Sequence, residues 1–224
     1  MYQPRRFTDR RSAGRELACV LQAAKLPEDL LVLGLPRGGV PVAFEVAQAL
    51  HASLDVLIVR KVGAPFQPEL AIGAIASGNI VVREPEAEQY VGVSDAEFER
   101  LVQRERIELE RREHTYRHGR DPLRLQARDI VLVDDGLATG TTMLAAVRAA
   151  RAAGAVSIIV AAPVASMEAM SLLRPEADQL VVLQVPPHFM AVGEWYQRFD
   201  QTSDEEVQTL LSRSSLTYHR ASEA

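Results

Sequence analysis

The sequence predicts an α/β fold with a mostly parallel central sheet flanked by helices. Short runs of Val, Ile and Leu recur along the chain, without the polar alternation of a half-exposed strand. Such continuous runs are typical of strands buried on both faces. Stretches with helical periodicity lie between them, as in parallel sheets with crossover helices. The expected strands are residues 30–35, 55–60, 129–134, 157–164 and 179–185.

The helices are predicted from the spacing of apolar residues and from capping residues. Apolar residues at helical spacing within 17–24 predict an amphipathic first helix. Residues 41–50 and 142–154 follow two of the strands and predict crossover helices. A capping box formed by Ser203 and Glu206 predicts the start of a last helix.

The segment 93–121 departs from this alternation. It opens with a second capping box, Ser94 with Glu97, and continues as a highly charged helix with a thin apolar stripe. It can be a solvated helix packed along one edge of the domain, or a helix that binds a partner or nucleic acid. The thin stripe favours the first interpretation.

The composition is that of an ordinary globular protein, and one domain covering residues 1–224 is expected. The net charge of −5 argues against nucleic acid or an acidic membrane as a partner. No apolar run is long enough to span a bilayer. Cys19 is the single cysteine, which excludes an internal disulfide and agrees with a cytoplasmic location. The five histidines show no metal-ligand spacing.

Two aspartates and a loop of small residues follow the strand at 129–134. The loop GLATGTT (136–142) can present successive backbone N–H groups at a helix N-terminus, which is a favourable place for a phosphate. Asp134 and Asp135 would repel a bare phosphate, but carboxylates accept hydrogen bonds from sugar hydroxyls and bind cations. A phosphorylated sugar meets both demands. The alternative is an incidental helix start with solvated aspartates.

The stretch VDDGLATGTT (133–142) closely resembles the signature of the type I phosphoribosyltransferases, an apolar strand, two acidic residues and a loop with T-G-x-T. The resemblance implies that the loop holds the 5-phosphate of phosphoribosyl pyrophosphate (PRPP) through Ala138, Thr139, Gly140, Thr141 and Thr142. It also implies that Asp134 and Asp135 engage the ribose hydroxyls and help to place a Mg²⁺ cofactor, with Asp135 taking part in catalysis.

Two further segments match pyrophosphate-binding positions of that family. The loop after its first strand binds pyrophosphate, frequently through a non-proline cis peptide bond, and Arg37, Gly38 and Gly39 occupy this place. Arg60 and Lys61 resemble the basic pair that opens the family's mobile loop, so residues 59–79 are expected to form a lid. Considered alone, Arg37 is equally explained as a surface arginine in a turn, and a lone surface lysine is the alternative for Lys61.

The implied reaction joins ribose C1 to a nitrogen nucleophile, a nucleobase by preference, and releases pyrophosphate. Ala138 stands where members acting on 6-oxopurines carry an acidic residue, so the loop looks more like that of adenine-specific members. In those members a glutamate of the mobile loop handles the proton of the base, and Glu69 is the candidate here. An exposed Glu69 without a catalytic duty is the alternative.

The family's base pocket is formed by a variable hood, which is expected here from residues 186–224 with a contribution from the first helix. Phe189, Trp195, Tyr196 and Phe199 could stack on a flat base. They could equally pack the last helix or a dimer contact, and the packing interpretation is favoured. A homodimer is left open.

Two functions are consistent with these residues. The first is a Mg²⁺-dependent phosphoribosyltransferase that uses PRPP and a small-molecule acceptor. The second is a regulatory protein that binds PRPP or a nucleotide without turning it over. Such regulators usually carry an added DNA-binding segment, and no helix-turn-helix pattern precedes the first strand. Together with Arg37, Lys61 and the paired aspartates, this favours the enzyme.

Overall fold

The computed structural model describes residues 5–24, 26–27 and 29–222, without the side chains of Glu69 and of residues 215–222. The described strands are β1 (Leu30–Gly34), β2 (Ser53–Val56), β3 (Val59–Ala64), β4 (Gln67–Ala76), β5 (Ile80–Arg83), β6 (Asp129–Val133), β7 (Ser157–Val164) and β8 (Gln179–Gln184). Five of them form a parallel sheet in the order β2-β1-β6-β7-β8. The predicted fold class is confirmed.

The other three strands form a small antiparallel sheet in the order β3-β4-β5. Two predictions are wrong here. The strand expected at 55–60 is divided, because the chain leaves the parallel sheet after Val56 and enters the small sheet at Val59. The segment 59–79 was expected to be an irregular loop, and it is largely hydrogen-bonded strand; its role as a lid stays a prediction.

The helices are α1 (Arg10–Ala23), α2 (Gly39–Leu50), α3 (Pro85–Val91), α4 (Asp95–Arg117), α5 (Thr141–Ala152), α6 (Met167–Leu173) and α7 (Asp204–Ser222), with a 3₁₀ turn at Val192–Trp195. They cover both faces of the parallel sheet, so that every residue of β1 is buried. This double burial is the physical reason for the continuous apolar runs. In the described part of the chain, no helix is long and apolar enough to cross a membrane.

The charged helix α4 packs along the small sheet and α7. Its buried residues are Phe98, Val102, Leu109 and Tyr116, which form the thin apolar stripe of the sequence. The Ser94 hydroxyl accepts the Glu97 N–H and caps the first turn. The interpretation of this segment as a packed, largely solvated helix is confirmed.

The carboxyl ends of β1, β6 and β7 lie at one edge of the parallel sheet. Three connections begin there, at 35–38, 134–140 and 165–166. Above this edge, the segment before α1 pairs with the segment after the 3₁₀ turn, since Phe7 N–H donates to the Trp195 carbonyl (2.8 Å) and Gln197 N–H donates to the Phe7 carbonyl (2.8 Å). We call these two segments, 5–9 and 186–202, the hood.

Candidate active site

The two aspartates predicted to bind a sugar follow the last residue of β6, at the centre of the parallel sheet. Asp134 accepts the backbone N–H of Asp135 at Oδ1 (2.8 Å), and this contact fixes the orientation of its carboxylate. The Asp135 side chain is only 13% exposed. In open α/β sheets, ligands bind outside the carboxyl ends of the strands. The acidic pair therefore lies where this architecture places its ligand.

The loop after the aspartates leads directly into α5. Among the described residues, none accepts a hydrogen bond from the backbone N–H groups of residues 138–143. Thr139, Thr141 and Thr142 are exposed, and the hydroxyls of Thr139 and Thr141 are 3.2 Å apart. Free N–H groups at a helix N-terminus, with hydroxyls beside them, make a site for a phosphate. The structure thus brings the five predicted cradle residues together.

The cradle is held in place by residues around the start of α6, which the sequence analysis did not identify. Leu137 is buried and bridges to Ala165. The Ser166 hydroxyl donates to the Ala138 carbonyl and accepts the Ala169 N–H (2.9 Å). Gly140 has φ +76°, and an added Cβ would lie 3.1 Å from Ala169. The start of α6 therefore holds the loop in a shape that requires glycine at this position.

The loop after β1 contacts the acidic pair through its glycines. A Cβ built on Gly38 would lie 2.0 Å from Asp135 Oδ2, and one built on Gly39 would lie 2.6 Å from the Val133 carbonyl oxygen. The bond between Pro36 and Arg37 is cis, as the family resemblance leads one to expect. No described residue accepts a hydrogen bond from the backbone N–H groups of Arg37 and Gly38. A second set of backbone donors without described acceptors thus lies in the loop that contacts the carboxylates.

The side chain of Arg37 is directed towards the start of α7. Its Nη1 lies 3.6 Å from Asp204 Oδ1, and the guanidinium is 37% exposed. The same carboxylate oxygen accepts the Tyr116 hydroxyl (2.6 Å). Burial, followed by this contact with Asp204, raises the pKa of Tyr116 to about 12. Asp204 therefore links the Arg37 loop to α4 and α7.

Arg60 and Lys61 do not act as a pair. Arg60 donates to Glu105 Oε2 of α4 from Nε (3.1 Å) and Nη2 (2.5 Å). Because successive residues of a strand face opposite sides, Lys61 shares the face of Val59, which packs against residues of α5. Among described residues, Lys61 has no ion-pair partner. The prediction that Arg60 contacts pyrophosphate is not supported, whereas Lys61 lies on the side of the cradle helix.

Arg10, at the start of α1, is the main site residue that the sequence did not reveal. Its Nε donates to Asp135 Oδ2 (2.7 Å), and both side chains are only 13% exposed. Its Nη1 donates to the Asp200 carbonyl (2.6 Å), and its guanidinium lies 3.8 Å from the ring centre of Phe199. The arginine-rich start of the chain was visible, but nothing in it distinguishes Arg10 from its neighbours.

Burial dominates the electrostatics of the acidic pair. It raises the pKa of Asp134 well above its ordinary value, and the adjacent charge of Asp135 raises it further. Burial also raises the pKa of Asp135, although the Arg10 guanidinium opposes this shift. Two carboxylates in a poorly hydrated place repel each other, so a cation or a hydroxyl donor beside them is stabilising.

The hood aromatics are not arranged as a base-stacking pocket. Trp195 and Tyr196 are 7% and 4% exposed, and they pack in a small core with Phe7 and with Phe189 at its margin. Tyr196 also stacks on Phe199, the ring that lies next to Arg10. The ring surfaces of Trp195 and Tyr196 are used in packing, which argues against their assignment to the base pocket and supports the packing interpretation.

The predicted proton-handling residue, Glu69, belongs to β4, and its side chain lies outside the described residues. Its role stays a prediction.

Asp134 and Asp135 are the carboxylates that could hold Mg²⁺. Among the residues that the structure describes, no group of three or more Asp, Glu, His or Cys is arranged to hold a metal ion. Mg²⁺ is usually bound by one or two carboxylates together with waters and substrate phosphates. Asp134 and Asp135 therefore fit an ion that is bound jointly by the protein and a phosphorylated substrate.

Comparison with known proteins agrees with this geometry. The family described as "Phosphoribosyl transferase domain" matches residues 21–198. A Mycobacterium tuberculosis protein, provisionally named a phosphoribosyl transferase, is 45% identical over 96% of this chain. The chain spans about half the length (48%) of that relative. The crystal structure of TT1426 from Thermus thermophilus superimposes with a TM-score of 0.86 at 44% identity, covering 93% of this chain and 98% of that one. The chain therefore belongs to the phosphoribosyl transferase family.

Proposed function

We propose that the chain is a Mg²⁺-dependent phosphoribosyltransferase that transfers the phosphoribosyl group of PRPP to a nitrogen nucleophile and releases pyrophosphate. One observation carries the proposal. The largely buried acidic pair is followed by one set of backbone N–H groups that lack acceptors among the described residues, at 138–143, and it is contacted by the loop that carries a second set, at 37–38. PRPP has phosphate groups at both ends of a sugar with hydroxyls, and this arrangement complements it.

The monoester end of PRPP is assigned to the 138–142 cradle. Its N–H groups and threonine hydroxyls donate to phosphate oxygens, and the dipole of α5 favours the negative charge. The sugar hydroxyls would then lie beside Asp134 and Asp135. Carboxylates accept hydrogen bonds from hydroxyls and carry the charge that stabilises a cationic sugar ring.

The pyrophosphate end is assigned to the Arg37 loop and to Lys61. The N–H groups of Arg37 and Gly38 offer donors close to Asp135, and Lys61 offers a cation on the side of α5. Asp134 and Asp135 would hold Mg²⁺ together with the substrate. When bound, the ion supplies positive charge that stabilises the leaving pyrophosphate.

The reaction breaks the bond between ribose C1 and the pyrophosphate oxygen, and a nitrogen lone pair forms the new bond to C1. The electron pair of the broken bond leaves with pyrophosphate. The residues contribute by positioning and by electrostatic stabilisation, without a covalent intermediate. A base that removes the surplus proton of the nucleophile completes the proposal, and Glu69 is retained as its candidate.

The acceptor is proposed to be a nucleobase or another small nitrogen compound bound under the hood. The packed rings of Trp195 and Tyr196 argue against a pocket built on those two residues. Phe199, which is 36% exposed, and the polar groups beside Arg10 are the better candidates for contacts with the acceptor.

The second candidate is a protein that binds PRPP or a nucleotide without turnover. It is favoured by one observation, namely that Arg10 already occupies Asp135 Oδ2. A carboxylate bound in this way could serve the structure rather than the chemistry.

The decisive experiment measures binding of PRPP by calorimetry and release of pyrophosphate with Mg²⁺ and a panel of bases and amines. If the chain is the proposed enzyme, it binds PRPP and releases pyrophosphate only with a suitable acceptor. Asp134→Asn should reduce both, and the control Asp121→Asn, which alters an exposed carboxylate, should change neither. Binding without release for any acceptor would favour the second candidate. Absence of PRPP binding would refute both.

A further inference from the structure

We propose that Arg10 is a positioning residue of the phosphoribosyl site. It holds one oxygen of Asp135, so that the other oxygen and the Asp134 carboxylate face the sugar, and it attaches the hood to this arrangement. The inference rests on the proposed function and adds to it a residue from outside the signature motif.

The first support is the geometry of the ion pair. The 2.7 Å contact from Arg10 Nε to Asp135 Oδ2 joins residues 125 positions apart, in a place where both side chains are 13% exposed. Charge-assisted hydrogen bonds in poorly hydrated places are stronger than those at the surface. This pair therefore defines the orientation of the Asp135 carboxylate.

The second support is the close approach of Gly38 to the same oxygen. A Cβ at Gly38 would lie 2.0 Å from Asp135 Oδ2 and 3.3 Å from Arg10 Nε. Oδ2 is thus enclosed between Gly38 and the guanidinium. No described side chain donates a hydrogen bond to Asp135 Oδ1 or to Asp134 Oδ2, so these two oxygens are available to a ligand.

The third support is that Arg10 is itself fixed by the hood. Its Nη1 donates to the Asp200 carbonyl (2.6 Å), and its guanidinium lies over the Phe199 ring (3.8 Å). The Tyr196 hydroxyl donates to the Asp135 carbonyl (2.5 Å) from the same part of the hood. Carboxylate orientation and hood position are therefore coupled through Arg10.

These contacts distinguish Arg10 from Arg11, the next residue of α1. Arg11 donates to Glu45 Oε1 (2.6 Å) in α2 and contacts neither aspartate of the pair. Lysine at position 10 could reach a single acceptor, but it lacks the planar fork that binds Asp135 and Asp200 together while stacking on Phe199. Arg10→Lys is therefore an intermediate variant, and Arg11→Gln is the matched control.

The test measures binding of two ligands by calorimetry for wild type, Arg10→Gln, Arg10→Lys and Arg11→Gln. Ribose 5-phosphate reports on the cradle and the acidic pair, whereas magnesium pyrophosphate reports on the Arg37 side. We expect Arg10→Gln to weaken binding of ribose 5-phosphate at least tenfold and to change that of magnesium pyrophosphate less than twofold. Arg10→Lys should show a partial loss for ribose 5-phosphate, and Arg11→Gln should match wild type for both ligands.

Three outcomes would overturn the inference. Arg10→Gln could match Arg11→Gln or tighten sugar binding, in which case the ion pair does not position the carboxylate. It could weaken both ligands equally, which would indicate a general structural role. If wild type binds neither ribose 5-phosphate nor PRPP, the proposed function fails as well, and this pattern differs from the other two. If Arg10→Gln does not fold, Arg10→Lys is judged by the same ligand selectivity.

Discussion

Substitution of Gly38 by alanine is expected to damage the site much more than the fold. Gly38 has φ −61° and ψ −31°, a conformation that alanine adopts without strain. The added methyl group would lie 2.0 Å from Asp135 Oδ2 and 2.7 Å from Asp135 Cγ, and it would meet no backbone atom closer than 3 Å. The carboxylate must therefore rotate away, and it loses Arg10 when it does so.

The size of the effect follows from these contacts. Restricting the unfolded chain by Gly→Ala stabilises a protein by about 0.4–1 kcal/mol. Breaking a fully buried ion pair costs about 3–5 kcal/mol, and this pair costs less because it is partly hydrated and Arg10 keeps its other partners. We therefore expect a net loss of about 1–2 kcal/mol in the free energy of unfolding. Loss of one charge-assisted hydrogen bond to the sugar, about 1.5–3 kcal/mol, should weaken PRPP binding about 10- to 150-fold.

The assay combines urea denaturation with calorimetric titration of PRPP. Gly39→Ala gives the contrast, because its methyl group would meet the Val133 carbonyl oxygen at 2.6 Å and the Asp134 Cα at 2.9 Å, and backbone cannot move aside cheaply. It should lose more stability than Gly38→Ala. Gly119→Ala, with φ +77° and open space around it, should lose about 1 kcal/mol and bind normally. Normal PRPP binding by Gly38→Ala would refute the reasoning.

Four further predictions concern single residues. Lys61→Met should weaken magnesium pyrophosphate binding in calorimetry, whereas Arg60→Met should lower stability and leave binding within twofold, because the two residues face opposite sides of β3. Thr141→Asp should abolish ribose 5-phosphate binding without unfolding the protein, because it places a negative charge among free N–H groups at the exposed first residue of α5. Burial holds the folded-state pKa of Asp134 well above its ordinary value of 3.8, so ionisation of this carboxyl lowers stability as pH rises from 3.8 to the folded-state pKa. Asp134→Asn should therefore be more stable than wild type at pH 7, and this advantage should shrink near pH 4, as measured by thermal unfolding. Trp195→Ala should lose about 3–5 kcal/mol in denaturation, since the ring is packed in the hood, and a loss below about 1 kcal/mol would contradict this.

The sequence was most informative where the contacts are local. The strands of the parallel sheet and the loop 134–142 lie within short stretches whose pattern alone requires burial or a tight turn. The division of the strand at 55–60 was missed because Leu57 and Ile58 are as buried as strand residues, although they link two different sheets. Periodicity reports burial, and it does not report which sheet a residue joins.

The long-range contacts of the site could not be predicted. Arg10 and Asp135 are 125 positions apart, and one arginine among several carries no local signal of its partner. Trp195 and Tyr196 illustrate a second limit, because the same aromatic composition suits an open pocket and a packed core. The residues 59–79 contain Pro, Gly and Ala, which favour loops, but pairing between β3, β4 and β5 outweighs that local preference.

The two-part hood has a consequence for how the molecule is made. The residues of the phosphate cradle and of its support by Ser166 have all been synthesised once the chain has grown past α6. The hood also requires the bridge between Phe7 and Tyr196. During synthesis, the early segment must stay unpaired until nearly two hundred residues have emerged. The loop 136–142 is thus in place before the hood closes, and the orientation of Asp135, which depends on Arg10 and Asp200, is fixed last.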